Sequence, residues 1–352
     1  MTNGKIIANY SSVLSLFILL VFIASTGVNV LFGSAGTFKD QLIFTIVHLQ
    51  LVLAFMLGNY FATKLSKDFV YKSLIIVLLL LSIRLFLDDF DKVFNLSTVR
   101  GLRVESQFAG GANNFALLLG IGFIIAFFYL NKGSKRLITC LYLLLVIVLT
   151  MSRGALFGVV FTLFLVAVYD QKGKTLVSLL RISFGLSILG VFLFFMSDGV
   201  QVIVEKFSDR FLSFFTGEVT FEQASSGRPI IFKDIYENHL LKANTFEVLF
   251  GHGMGSIDFE VNGYPYESSH NIFIDILFRN GAFALIGFIV LICYLTLSFL
   301  NNRKNEDLVF FGIFVFLHFE IMVNPFVYAA QTGWIYGLFL ALFIRRNRLR
   351  KT

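Results

Sequence analysis

Residues 137–169 read LITCLYLLLVIVLTMSRGALFGVVFTLFLVAVY, and Arg153 supplies their single charged side chain. An apolar run of this length is too long for one membrane-spanning helix and suits two short ones. The two would meet at the TMSRG segment, residues 150–154. A re-entrant pair at this point would leave the topology of the chain unchanged.

The composition of the whole chain extends this pattern. Apolar residues make up 57% of the 352 residues, Phe alone occurs 45 times, and charged residues make up 14%. Soluble domains average about 25% charged residues. A water-soluble core cannot enclose so much apolar surface, so a lipid-facing surface is required. Secreted disulfide scaffolds, disordered chains and nucleic-acid-binding domains are disfavoured, and the two cysteines suffice for neither a zinc nor an iron–sulfur site.

Ten runs are long and apolar enough to cross a bilayer, the shorter ones within a bundle. They cover residues 12–32, 41–63, 72–87, 112–131, 137–152, 154–169, 176–196, 279–300, 308–323 and 327–344. The sequence therefore predicts an all-α, polytopic membrane protein in which residues 1–352 form a single membrane domain of about ten transmembrane helices. A large helical loop, residues 197–270, is inserted between the seventh and eighth helices.

The distribution of positive charge predicts the orientation of these runs. One set of alternate short loops and termini carries sixteen Lys and Arg residues and the opposite set carries five, so both termini are expected in the cytoplasm. The segment 197–270 then lies outside, with eleven acidic and five basic residues. The net charge of +7 reflects this bias rather than nucleic-acid binding. No cytoplasmic loop has room for a nucleotide-binding domain, so an enzyme of this kind takes its energy from its substrate.

Ionisable side chains inside the apolar runs mark candidate functional positions, because a charge in the bilayer is costly. Arg84, Arg153, His48, His318 and Glu320 all fall toward the outer side in this orientation. Their common side indicates a polar chamber open to the outside. For Arg84 and Glu320, snorkelling and helix pairing remain an alternative of equal weight.

The outside loop contains a helix-start signal at Arg228, between serines and Pro229. Exposed backbone N–H groups beside an Arg suit an anion. The Gly-rich run 251–255 is expected to be flexible backbone. Further along, His270 and Asn271 open an amphipathic stretch, and a histidine at this position suits a general base near neutral pH. A helix-capping role for His270 is equally compatible with the sequence.

Five short motifs, in order, resemble those of the O-antigen polymerase and O-antigen ligase superfamily over residues 100–300. His270-Asn271 followed by Gly281-Ala282-Phe283 is similar to that family's signature, from which Ala284 departs. The other four motifs are Arg103 with Asn113-Asn114-Phe115-Ala116, Ser152-Arg153-Gly154, Ser226-Gly227-Arg228, and Leu249-Phe250-Gly251-His252-Gly253-Met254-Gly255. The first 95 residues resemble the family in hydropathy alone.

The resemblance implies a glycosyltransferase of the bacterial inner membrane whose active site faces the periplasm. Its substrate would be an undecaprenyl-pyrophosphate-linked oligosaccharide, used without cofactor or metal, with a chain-length regulator and a flippase as further partners. His270 would be the catalytic base, with His318 and Glu320 in reserve. Substrate would be bound by Arg103, Arg153, Arg228, Asn271 and Arg84.

A Wzy-type polymerase of O-antigen or a related surface polysaccharide is the favoured activity, because the chain is rather short and carries Ala284. An O-antigen ligase, which transfers the glycan to the lipid A core, is the close alternative and would use the same His and Arg side chains. A secondary transporter or flippase of the lipid-linked glycan is the alternative of another class. It is disfavoured because the sequence has no internal repeat and its polar groups lie toward one side.

Overall fold

The computed structural model describes residues 38–88, 111–131, 133–150, 152–170, 228–253, 259–261, 264–266, 268–301, 308–324, 326–329 and 331–345, with isolated positions between 21 and 31. Helices dominate this part of the chain. In order they are α1 (Phe38–Lys64), α2 (Lys67–Asp88), α3 (Ala112–Tyr129), α4 (Ser134–Leu149), α5 (Arg153–Tyr169), α6 (Arg228–Asp234), α7 (Thr245–Phe250), α8 (Ile272–Asn301), α9 (Leu308–Val323) and α10 (Gly333–Arg345). Helix α6 continues as a π-helical turn, Ile235–His239, and a 3-10 turn, Leu240–Lys242.

One short hairpin adds strand structure to the predicted all-α fold. Strands β1 (Phe259–Val261) and β2 (Tyr264–Tyr266) pair antiparallel, with Glu260 opposite Pro265. A second 3-10 turn, Phe326–Tyr328, precedes α10, so the apolar run 327–344 is not one continuous helix.

Eight of the ten predicted apolar runs coincide with described helices, in whole or for most of their length. The run 137–169 forms two helices, α4 and α5, as the sequence predicts. The run 176–196 and most of 12–32 lie outside the described residues, so ten spans stay a prediction. Arg103 and the Ser225–Gly227 segment also lie outside the described residues.

The membrane character of the protein is evident in its helices. Three of them have stretches long and apolar enough to cross a membrane: Thr45–Lys64, Ala112–Tyr129 and Ile272–Asn301. Helices α5, α9 and α10 are shorter apolar helices. Large apolar side chains are exposed along α8, among them Phe283, Ile286, Val290 and Leu297. An apolar face of this kind requires lipid or protein against it, and the chain is a polytopic membrane protein.

The described residues divide into two compact units. Unit 1 contains residues 1–67, 231–305 and 321–352, and unit 2 contains residues 68–230 and 306–320. In unit 1, α1 packs along α10 through two glycines. A Cβ on Gly58 would lie 2.7 Å from the carbonyl oxygen of Leu338, and one on Gly337 would overlap the carbonyl of Leu51. Small residues of this kind let two membrane helices approach closely.

Unit 2 is organised around α3. This helix is apolar on every side, and its residues from Phe115 to Phe127 are almost all buried. Gly120 faces the ring of Phe316 from α9, and Gly122 faces Leu78 from α2. A helix that is hydrophobic all round belongs at the centre of its bundle.

Candidate active site

The segment from Ser268 to Asn271, called here the His270 loop, leads into α8. Asn271 caps this helix, because its side-chain oxygen accepts hydrogen bonds from the backbone N–H groups of Phe273 (3.0 Å) and Ile274 (3.3 Å). The sequence assigned Asn271 to substrate binding; the structure gives its amide oxygen a capping role. The residue that caps α8 is therefore Asn271 and not His270, for which the sequence had left a capping role open.

His270 has an unusual backbone conformation. Its φ is +56°, the left-handed region, which costs a non-glycine residue about 1–2 kcal/mol. Among the non-glycine residues that the structure describes, it is the one with positive φ. The backbone N–H of His270 donates to the Ser268 hydroxyl oxygen at 3.0 Å, and its side chain is half-buried. Strained residues of this kind concentrate at functional sites.

Asp275 lies one turn into α8 and is buried. Its carboxylate accepts a hydrogen bond from the Ser268 hydroxyl (3.0 Å) and another from the backbone N–H of Ser269 (2.9 Å). The four-residue spacing of Asp275 and Arg279 would also suit an ion pair within α8, whereas these bonds point back into the His270 loop. Sequence reasoning missed this role. The sequence offered one signal for this role: an acidic residue in the first turn of the helix, with two serines just before that helix begins.

Two glycines lock α7 onto α8 where α8 is kinked. Gly281 has φ +80° and ψ 179°, and Gly251 has φ +88° and ψ 176°, a conformation essentially reserved for glycine. A Cβ on Gly281 would overlap the carbonyl of Leu249, and one on Gly251 would overlap the carbonyl of Arg279. The motifs that contain Gly251 and Gly281 are far apart in the chain, but the structure packs them directly against each other.

Backbone hydrogen bonds complete this contact. The N–H of His252 donates to the carbonyl of Phe278 (2.8 Å) and the N–H of Gly253 donates to that of Arg279 (3.1 Å). They satisfy two α8 carbonyls next to the kink. Residues 251–253 were expected to be flexible backbone. That expectation is wrong for them, because the kink needs these donors.

Histidine side chains gather beside this contact. The ring of His252 stacks on Phe278 at 4.5 Å, and His239 meets both rings edge-on. Burial lowers the pKa of His252; Glu247 raises it, and His239 lowers it. The Nδ1 atom of His252 is buried without a hydrogen-bond partner among the described residues.

A buried polar cluster lies behind the kink in unit 1. The Tyr328 hydroxyl donates to the side-chain oxygen of Asn280 at 3.1 Å, and the Arg279 guanidinium lies 5.4 Å from the centre of the Tyr328 ring. His48 meets the same ring edge-on at 5.8 Å. Of these residues the sequence singled out His48, and tertiary packing supplies its neighbours.

Unit 2 brings together three of the predicted site residues, called here the arginine cluster: Arg153, Arg228 and Glu320. Burial lowers the pKa of Arg228, the neighbouring charge of Arg153 lowers it further, and the Glu320 carboxylate raises it. An Arg pair stays protonated at every physiological pH and suits a phosphate or pyrophosphate. Arg153 thus lies close enough to Arg228 for their charges to interact. Arg103 lies outside the described residues, so a substrate site shared by the three arginines stays a prediction.

Glu320 packs against Gly158 of α5. A Cβ on Gly158 would lie 3.0 Å from Glu320 Oε1 and 2.9 Å from the ring of Phe319. Glu320 is buried, and its Oε1 atom has no hydrogen-bond partner among the described residues. The neighbours of Glu320 among the described residues thus include Arg228 and Gly158 of α5.

The remaining predicted residues occupy other surroundings. The His318 ring lies 4.3 Å from that of Phe314, and its Nδ1–H donates to the Phe314 carbonyl at 2.7 Å, a bond within its own helix. Arg84 lies near the end of α2 with an exposed side chain. Among the described residues no group of three or more His, Cys, Asp or Glu side chains is arranged to hold a metal ion.

Comparison with known families identifies the central part of the chain. Residues 137–289 match the family described as O-antigen ligase. This segment contains Arg153, Arg228, the glycine contact and the His270 loop. A search of curated proteins gives no match. With the motifs of residues 100–300, this match supports the resemblance of the chain to the O-antigen ligase and polymerase superfamily.

Proposed function

We propose that the protein is a Wzy-type polymerase of O-antigen or a related surface polysaccharide. It would transfer a glycan from undecaprenyl pyrophosphate to a lipid-linked repeat unit. The observation that carries the proposal is His270, held at positive φ at the start of a membrane-length helix within the family segment. A strained histidine in that position suits proton transfer better than packing.

His270 acts as the general base in this reaction. A hydroxyl oxygen of the acceptor sugar forms a bond to the anomeric carbon of the donor, and the bond from that carbon to the pyrophosphate oxygen breaks. The hydroxyl proton passes to the His270 imidazole, and the pyrophosphate leaves with the bonding electron pair. Imidazole is suited to this transfer because its usual pKa lies near neutrality.

Arg153 and Arg228 stabilise the leaving pyrophosphate. Its charge grows as the bond breaks, and preorganised guanidinium groups offset that charge without a general acid. Glu320 lies near Arg228 and, with His318, remains the reserve candidate for the base. By resemblance, Arg103 adds a third donor, and Arg84 and Asn271 remain proposed substrate contacts.

The reaction takes place at the periplasmic face of the bacterial inner membrane, with both chain termini in the cytoplasm. The charge bias of the loops supports this orientation. The substrate is lipid-linked, so it reaches the protein within the bilayer. A chain-length regulator and a flippase complete the proposed set of partners.

A ligase is the second candidate, because the matching family is described as O-antigen ligase. Purified protein in vesicles, supplied with lipid-linked repeat units alone, separates the candidates. A polymerase produces a ladder of lengthened glycans on the lipid carrier. A ligase produces none until lipid A core is added, and a flippase moves the substrate across the bilayer without a new glycosidic bond. The absence of a ladder would overturn the polymerase.

A further inference from the structure

We propose that Asp275 is a positioning residue that holds His270 in its active backbone conformation through Ser268 and Ser269. The inference rests on the proposed function of His270 as the base. In this role the Asp275 side chain does not contact substrate and acts through the His270 loop that precedes it in the chain. Three hydrogen bonds, all about 3 Å long, carry it.

The chemistry of the carboxylate fixes the direction of these bonds. An ionised carboxylate accepts hydrogen bonds and has none to donate. The Ser268 hydroxyl must therefore donate its proton to Asp275 Oδ2, at 3.0 Å. Its oxygen is left as an acceptor, and the backbone N–H of His270 donates to it at 3.0 Å. The charge of Asp275 thus orients the group that holds the His270 backbone.

A second hydrogen bond from Asp275 anchors the loop at Ser269, the residue before His270. The backbone N–H of Ser269 donates to Asp275 Oδ1 at 2.9 Å. The hydroxyl of Ser269 is engaged with Asn271, donating to its carbonyl (2.9 Å) and accepting from its N–H (3.1 Å). Each peptide around His270 is therefore fixed, which offsets the cost of the left-handed conformation.

Capping of α8 does not explain this arrangement. Asn271 already accepts the N–H groups of Phe273 and Ile274, as the cap of a helix does. Asp275 makes its two bonds backward, to the loop. Its buried charge is tolerated in the first turn because the positive end of the helical segment before the Gly281 kink stabilises an anion there.

The central test replaces Asp275 by Asn, which keeps the size of the side chain and removes its charge. In the vesicle assay of chain extension we expect kcat to fall about tenfold or more, with KM for the lipid-linked repeat unit within about threefold, since the base is misplaced and the arginines are untouched. Ser82→Ala is the matched control, because the Ser82 hydroxyl is also buried and donates to Leu79 of its own helix. It should leave both constants unchanged.

A double-mutant cycle tests whether Asp275 acts through Ser268. Ser268→Ala should lower kcat to a similar degree, Ser268→Thr should restore it because it keeps the hydroxyl, and the double variant with Asp275→Asn should lose less than the product of the single losses. Independent, multiplying losses would overturn the inference. So would an Asp275→Asn variant with the wild-type kcat, or one in which KM alone changes. If Asp275→Asn does not accumulate, the Ser268→Ala and Ser268→Thr pair decides.

The failure of this inference is distinguishable from that of the proposed function. A wild-type protein that extends no chain, or a His270→Ala variant as active as the wild type, refutes the function. Amide hydrogen exchange in residues 268–271 still reports on the loop. Faster exchange in Asp275→Asn than in Ser82→Ala supports the positioning role, and equal exchange in the two variants refutes it.

Discussion

The His270 loop of unit 1 and the arginine cluster of unit 2 are held by different forces. The loop is fixed by short, directional hydrogen bonds between adjacent residues, which set one backbone conformation. The cluster consists of charged side chains on α5, α6 and α9. Arg153 and Glu320 lie close enough to Arg228 to shift its pKa. Directional bonds suit the placement of one base, and neighbouring guanidinium groups suit an anionic leaving group whose oxygens they can bind in pairs.

The largest expected effect is at His270. His270→Ala should reduce chain extension by about a hundredfold to ten-thousandfold, because no other group takes the acceptor proton. His270→Gln should fail as well, since an amide forms hydrogen bonds but does not accept a proton at neutral pH. The measurement is polymer length and yield at matched protein levels in the membrane. Near-normal polymer from His270→Gln would make this residue a positioning group and move the base to His318 or Glu320.

The glycine contact should be next in effect. Gly281→Ala is expected to destabilise the protein by about 3 kcal/mol, because positive φ and overlap with the Leu249 carbonyl act together. Gly133→Ala, whose added Cβ meets open space at the N-cap of α4, should cost about 1 kcal/mol or less. Thermal unfolding in detergent measures both. Equal melting temperatures for the two variants would contradict the contact between the glycine motifs.

Arg228→Lys tests the arginine cluster while keeping its charge. We expect kcat/KM for the lipid-linked donor to fall about tenfold, because Lys lacks the bidentate fork of Arg. Lys233→Arg serves as a control on the same helix, since Lys233 is exposed and lies 4.0 Å from Glu237. Initial rates across substrate concentrations separate the two. Wild-type kinetics in Arg228→Lys would show that charge alone is recognised.

Gly158→Ala should have a smaller effect, confined to unit 2. Its Cβ would press on Glu320 and Phe319, and the expected loss of stability is about 1–2 kcal/mol. Gly133→Ala is again the control. A Gly158→Ala protein as stable as this control would mean that α5 and α9 are less tightly packed at Glu320 than the structure indicates.

The smallest effect concerns pH and His252. Burial lowers its pKa in the folded protein, so the unfolded chain binds more protons and stability should decline as the pH falls below about 6.5. His252→Phe preserves the stack on Phe278 and should reduce this decline. Melting temperatures measured between about pH 7 and pH 5 compare the variant with wild type. An identical pH dependence in both proteins would assign the decline to other groups.

Much of the site was predictable residue by residue. A charge in an apolar run, as at Arg153 or Glu320, is conspicuous because lipid penalises it wherever the helix packs. A histidine beside an Asn at a helix start is equally visible. The role of Asp275 was not predictable, because an acidic residue four positions before Arg279 fits a helical ion pair as well as it fits a bond to the preceding loop. Only the path of that loop decides between the two.

The sequence by itself determined the membrane class, the positions of most helices and the family motifs, since hydropathy and local spacing act along the chain. Tertiary structure decided which distant segments meet. It placed Gly251 against Gly281, Glu320 beside Arg228, and Tyr328 against Asn280. The physical reason is that backbone overlap, electrostatic proximity and buried hydrogen bonds depend on distances between residues that composition and periodicity do not encode.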